Sequence, residues 1–290
     1  AISSSAIPMI QWMPEATRTQ SLAHLVDAGL ACRGPLEGLL EPKLAAFAGA
    51  LPRDPAGWLG GGYRRMLREV GVDCFGEWGN RWLVTRFGMG FPPSDFGARA
   101  WRQIKEHIDR QSTEAVVGNE ASVGDEGGKV PPPRRLRPTA RRVMYCCLEF
   151  SLGSEATATT AAGDFRGALV FESGFDGEDS ARGSTWLVAE DLPHSQRVDR
   201  VLCCEFQALA ALCRRLEEAF GVQAALDAED PEEAAAKRGN VCGTVWILTT
   251  GLSCVSCIGA FRQFQQLFPK VVLSITMQDW WPHIQPIPCD

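Results

Sequence analysis

The sequence predicts an α/β protein: a mixed β-sheet with helices on its faces, preceded by a mainly helical N-terminal region. Three observations predict it. Up to about residue 111, apolar residues recur at three- and four-residue spacing. Residues 112–141 then lose all apolar periodicity and fill with Gly, Pro and polar residues. Beyond them, short apolar runs alternate with helical patterns in the order strand, strand, helix, strand, helix, strand. The expected division is a helical accessory region over 1–111, a Pro/Gly/Arg linker over 112–141, and an α/β domain over 142–290.

In the first region, "SLAHLVDAGL", "LEGLLEPKLAAFAGAL", "GWLGGGYRRMLREVG" and "FGARAWRQIKEHIDRQ" read as helices, with Trp58, Trp78, Trp82 and Trp101 packing their core. No chemical motif stands out there, and contact with a partner protein is the expectation for it. The linker ends in "PPPRRLRPTARR", which gathers Arg134, Arg135, Arg137, Arg141 and Arg142. Such a run is ordinarily a solvated stretch of chain. Its functional reading is a contact with nucleic acid or a partner.

After the linker, "RVMYCCLEF", "GALVFES" and "STWLVAE" read as strands, with a hairpin loop at "GFDGEDSARG". "CCEFQALAALCRRLEEAFG" places Phe206, Leu209, Cys213, Leu216 and Phe220 on one helical face and stops at Gly221. Residues 222–240 read as an acidic, Ala-rich insertion. "GTVWILTT" and "KVVLSIT" are continuous apolar strands around the helix "CIGAFRQFQQLF", with Trp246 in the core. Strand–helix–strand with short links implies a parallel pair.

Composition bounds the class. The chain has 290 residues, 45% hydrophobic and 22% charged, enough for a sizeable core. No apolar run is long enough to span a membrane. The N-terminus lacks the pattern of a signal peptide, and without an initial Met the chain reads as a piece of something longer. Eleven cysteines, an odd number with adjacent pairs, make a poor disulfide framework. Reduced thiols and metal ligands are the expectation, in an intracellular, reducing compartment such as cytoplasm or nucleus. Net charge is −6, divided as +2 over residues 1–140 and −8 over 141–290. That disfavours broad phosphate-backbone binding by the second half.

The chemistry is carried by "TTGLSCVSCIGAF". Its Cys254-x-x-Cys257 follows a strand and opens a helix. A thioredoxin-like dithiol has that form, and so has half of a zinc site. The four His residues are isolated, so further ligands are sought among the cysteines. "VLCCEFQAL" offers Cys203 and Glu205 at the start of the preceding helix. Both helices should lie on one sheet face with their N-termini opposed, which favours thiolates. Three thiolates with a fourth position open suit a catalytic Zn2+, and Glu205 would move protons. A closed structural site, with Cys146, Cys147 or Cys204 as fourth ligand, is the alternative. So is simple burial of Cys203, with Glu205 as a helix-dipole acid.

Cys203-x-Glu205 and Ser253-Cys254-x-x-Cys257 together resemble the Cys/His-x-Glu and Pro-Cys-x-x-Cys signature of the zinc-dependent cytidine deaminase-like superfamily. The run from Gly243 to Thr276 is similar to deaminase domains of bacterial polymorphic toxins. The resemblance covers roughly residues 165–278. It implies a cytidine deaminase-like sheet, Zn2+ on Cys203, Cys254 and Cys257, Glu205 as catalytic acid–base, and hydrolytic deamination of a cytosine, or less readily an adenine, in DNA or RNA, single strands above all. Ser253 departs from the pattern, where Pro is usual. Few residues follow the last strand, so a fifth strand would have to come from "WPHIQPIP" or be absent. Trp280 and Trp281 would stand near the pocket mouth, to stack on a base or simply to pack. The alternatives are a free cytidine or nucleotide deaminase and a binding module with a degenerate site.

Overall fold

The computed structural model describes residues 33–58, 61–120, 143–154, 165–174, 186–192, 199–224, 228 and 230–277. Among the described residues four helices come first: α1 (Arg33–Ala50), α2 (Gly61–Val70), α3 (Gly76–Arg86) and α4 (Phe96–Glu120), with a 3-10 turn at Pro55–Trp58. They are followed by β1 (Tyr145–Ser154), β2 (Phe165–Glu172), α5 (Cys204–Phe220), α6 (Pro231–Asn240), β3 (Val241–Thr249), α7 (Val255–Leu267) and β4 (Lys270–Met277). The expected α/β order is present, with α6 added. The helix expected over 21–30 and the strand from "WPHIQPIP" lie outside the described residues.

The sheet runs β2-β1-β3-β4. β1 is antiparallel to β2 and to β3, and β3 is parallel to β4, with Val245 opposite Leu273. Alternation along the strands builds two apolar layers. Leu148, Phe150, Val245, Ile247, Leu273 and Ile275 face α5 and α7. Cys147 and Leu248 face Phe96, Ala100 and Ile104 of α4 on the other side.

α1 buries Leu40, Leu44 and Phe47, one stripe at helical spacing, which Leu51 just beyond its end continues. This stripe, with Trp58, Tyr63 and Leu67, joins the same core as α5, α7 and the sheet. The N-terminal helices therefore share their apolar core with the sheet. They also cover its edge: Gly90 pairs with Ser274, its N–H donating to Leu273 O and its carbonyl accepting from Ile275 N.

Several elements differ from the sequence reading. Residues 186–190, expected as a strand, form none. Val188 donates its N–H to Gln263 Oε1 at 2.8 Å and its carbonyl accepts from Gln263 Nε2 at 2.9 Å. The α7 side chain does for this backbone what a neighbouring strand would do. The helix α4 runs to Glu120, so residues 112–120 of the expected linker are helical; Ser112 and Thr113 turn their hydroxyls back onto Ile108 O and Asp109 O. The expected insertion over 222–240 contains α6, opened by Asp230 accepting from Glu232 N and Glu233 N, with Pro231 in the first turn. α3 is an element the periodicity did not reveal.

α7 approaches the Trp58–Tyr63 pair closely at Gly259. A methyl group there would overlap the Tyr63 hydroxyl oxygen and lie 2.9 Å from Tyr63 Cζ. Gly259→Ala is expected to destabilise the fold by about 1–3 kcal/mol. Adding Tyr63→Phe should recover part of that loss, because it removes the overlapping oxygen. Thermal unfolding of the single and double variants checks both.

Candidate metal centre

The parallel unit β3–α7–β4 delivers α7's N-terminus to the C-terminal end of the sheet, and α5 reaches the same place from the same face. Cys203 is the residue before α5 and Cys254 the residue before α7, both with extended backbone (φ −65°, ψ 133° and φ −73°, ψ 164°). Cys257 lies in the first turn of α7. The start of α5 is held by Gln207, whose Nε2 donates to Leu202 O at 3.1 Å and to Glu172 O at 3.3 Å. The result brings together Cys203, Cys254 and Cys257, whose sulfurs all lie within 4.8 Å of one another. Cys254 and Cys257 are 3.5 Å apart.

This donor set fits a zinc-sized ion. Zinc–sulfur bonds of about 2.3 Å in a tetrahedron set sulfurs roughly 3.8 Å apart. That spacing lies between the 3.5 Å of the Cys254–Cys257 pair and the 4.8 Å within which the whole trio falls. Three soft donors leave the fourth vertex open. Cys204 turns away and donates its thiol to Glu205 Oε2 at 3.3 Å. Cys146 and Cys147 sit in β1, outside the trio. Among the described residues no fourth protein ligand completes a closed site.

The three sulfurs influence one another's acidity. Hydrogen bonds with Cys203 and Cys257 hold the Cys254 thiol well below its ordinary pKa, and the Arg200 guanidinium adds to this. The Cys203 thiol is raised by its hydrogen bond with Cys254 and by burial, and the Cys257 thiol by its hydrogen bonds with Cys203 and Cys254 and by burial. Arg200 is itself buried. It donates to Cys203 Sγ at 3.9 Å and pairs with Asp73 Oδ2 at 3.7 Å. Three thiolates around a dication carry one net negative charge, and the guanidinium offsets it in a place where an uncompensated charge is costly.

Glu205 lies in the first turn of α5, 2% exposed. Burial raises its pKa, and the charge at Cys254 raises it further. Its Oε1 has no hydrogen-bond partner, and neither have Ser253 Oγ and Asn80 Oδ1, all buried. Such unsatisfied buried atoms are costly. Here they lie beside a three-thiol cluster that has a vertex to spare.

The sequence pointed to Cys203, Glu205, Cys254 and Cys257 for this centre, and their α-carbon chain positions at two helix starts bring the three thiols together. Trp280, Trp281, Arg134, Arg135 and Arg137 lie outside the described residues. Sequence reasoning missed Asp73, Cys74, Asn80 and Arg200. Arg200 stands three residues before Cys203, a spacing that could have flagged it. The other three lie more than 120 residues upstream, with no local pattern to mark them. Nine cysteines are free thiols among the described residues. No helix there is long and apolar enough to cross a membrane.

Comparison with protein-family models, with curated protein sequences and with solved structures returns no match to the chain.

Proposed function

We propose that this chain is a zinc-dependent hydrolytic deaminase that converts a cytosine base to uracil, with a single strand of DNA or RNA as its substrate. One observation carries the reading: a buried carboxyl group with an unpartnered oxygen beside three thiols at metal-binding spacing. The signature resemblance and the element order around it point the same way.

A zinc ion held by Cys203, Cys254 and Cys257 would supply Lewis-acid chemistry and bring the pKa of a coordinated water down to about 7. Glu205 does the proton work. Its Oε2 accepts from Cys204, which leaves Oε1 to exchange the proton. This oxygen takes a proton from the attacking water and delivers it to the ring nitrogen of the base. A second transfer, from the resulting hydroxyl to the exocyclic nitrogen, lets ammonia leave. Atoms balance as cytosine plus water giving uracil plus ammonia. A carboxyl whose pKa is raised by burial suits a group that must both accept and return a proton.

A groove supports a polymeric substrate. It is a shallow, open groove of about 900 Å³, lined by Trp78, Arg81, Trp82, Arg86 and Phe91, with Glu41 and Thr85. Arg81 and Phe91 also line a smaller hollow that reaches Met277 at the end of β4. Met277 Sδ lies 3.5 Å from Asn80 Nδ2, which in turn contacts Ser253, the neighbour of Cys254. Aromatic faces beside arginines suit stacked bases and their phosphates.

The test is a deamination assay on single-stranded DNA, double-stranded DNA, RNA and free cytidine. Turnover of a single strand is expected, and Trp82→Ala should raise the KM for the oligonucleotide about tenfold. Turnover of cytidine alone would move the reading to a nucleoside deaminase. A zinc-loaded protein that turns over none of the four is a binding module instead.

A further inference from the structure

The segment Asp73–Asn80 comes from the N-terminal helical region, yet it bonds to the immediate neighbours of the metal-ligand residues. Asn80, 0% exposed on α3, donates its Nδ2 to Ser253 O at 2.8 Å. The Cys74 thiol donates to the same carbonyl at 3.4 Å. The carbonyl of Asp73 accepts from Val255 N at 2.9 Å, the first residue of α7. The Asp73 carboxylate pairs with Arg200, which donates to Cys203 Sγ. One short segment is thus attached to residues 253 and 255, on either side of Cys254, and through Arg200 to Cys203.

Ser253 has no ring to preset its φ. Fixing one residue's backbone costs conformational entropy. Two donors on one carbonyl hold the Ser253–Cys254 peptide in a single orientation, and that orientation aims the Cys254 sulfur at Cys203 and Cys257. Cys74 is itself oriented by Gly76 N, which donates to its sulfur at 3.3 Å.

We propose that Asn80 and Cys74 are positioning residues of the metal centre: the N-terminal helices build the outer shell that sets the geometry of the three thiols before metal arrives. This rests on the reading of the thiol trio as a metal site. Outer-shell partners of metal ligands typically contribute about 10- to 100-fold in affinity.

The experiment measures zinc affinity by competition with a chromophoric chelator, and records the absorption of the cobalt(II)-substituted protein, for the full chain and for Asn80→Ala, Cys74→Ala and Cys74→Ser. The two alanine variants are expected to bind zinc about 10- to 100-fold more weakly. Cys74→Ser, which keeps a donor to the carbonyl, should recover most of the loss. The cobalt charge-transfer intensity should stay at the value for three thiolates in every variant, with the ligand-field bands shifted in the alanine variants. A fall in that intensity in Cys74→Ala would make Cys74 a ligand and overturn its positioning role. Unchanged affinity and spectra in both alanine variants would overturn the proposal. Should Asn80→Ala not fold, the Cys74 pair decides alone. A protein that binds zinc as predicted but deaminates nothing removes the proposed reaction and leaves this outer shell standing. An active enzyme whose alanine variants bind zinc normally does the reverse.

Discussion

Glu205→Gln lowers kcat on a cytosine substrate by about 10²- to 10⁴-fold while zinc content stays at the wild-type level; this is the expected result if the carboxyl moves the protons. Glutamine keeps the size of the side chain and its acceptor oxygen. It cannot exchange a proton, so chemistry is lost with little change in packing. The site makes the substitution mild, because Glu205 Oε1 lacks a close hydrogen-bond partner and Oε2 accepts from the small Cys204 thiol. Replacing a buried acid whose pKa is already raised by burial and by the charge at Cys254 should also leave the fold as stable as before, or slightly more so. Metal analysis, thermal unfolding and single-turnover kinetics on one preparation check all three statements. A variant that retains turnover removes Glu205 from the mechanism.

Cys254→Ala is expected to have the second large effect: loss of stoichiometric metal, and with it all activity. Cys254 is the residue on which the trio converges. Its thiol is hydrogen-bonded with both other thiols, and its sulfur also accepts the Cys257 N–H at 3.4 Å. Zinc at 1,000 times its dissociation constant adds about 4 kcal/mol to the stability of a protein that binds it only when folded. For a chain of this size that is on the order of 10 °C in Tm. Zinc should raise the wild-type Tm by this order and leave the Cys254→Ala Tm unmoved. The same titration carries a sign in pH. The pKa values of Cys203 and Cys257 are raised, so both thiols hold protons at neutral pH and must release them to bind zinc. Zinc affinity should therefore rise with pH through the neutral range. A wild-type affinity that is flat in pH would mean that these two thiols are not ligands.

Much of the centre was legible in the sequence, because its chemistry is written in local patterns. Cys-x-x-Cys after an apolar strand and Cys-x-Glu at a helix start place sulfurs and a carboxyl at helix N-termini by backbone geometry alone. The strands β3 and β4 were legible as unbroken apolar runs, and α5 by its apolar face and terminal Gly221, which adopts φ 61° in the structure. Residues 186–190 were not. Their alternating apolar pattern is that of a strand, but the partner is an amide side chain of α7, 75 residues away. α3 was missed because its sequence, "GEWGNRWLVTR", spends its positions on two surfaces. Gly79, Leu83 and Val84 face the core, and Trp78, Arg81 and Trp82 line the groove.

By itself, then, the sequence determined the α/β class, the order of the sheet-forming elements, and three thiols and a carboxyl as the residues with chemistry to offer. Each follows from periodicity or spacing within some twenty residues, the range over which helix and strand geometry act. Tertiary structure decided what surrounds them. It placed Asn80 and Cys74 on the carbonyl of Ser253, 173 and 179 residues away. It put Arg200 between Asp73 and Cys203, and merged the N-terminal helices with the sheet in one core. Contacts of that kind arise when separate apolar faces seek common burial, and no spacing within either segment records which face it will meet.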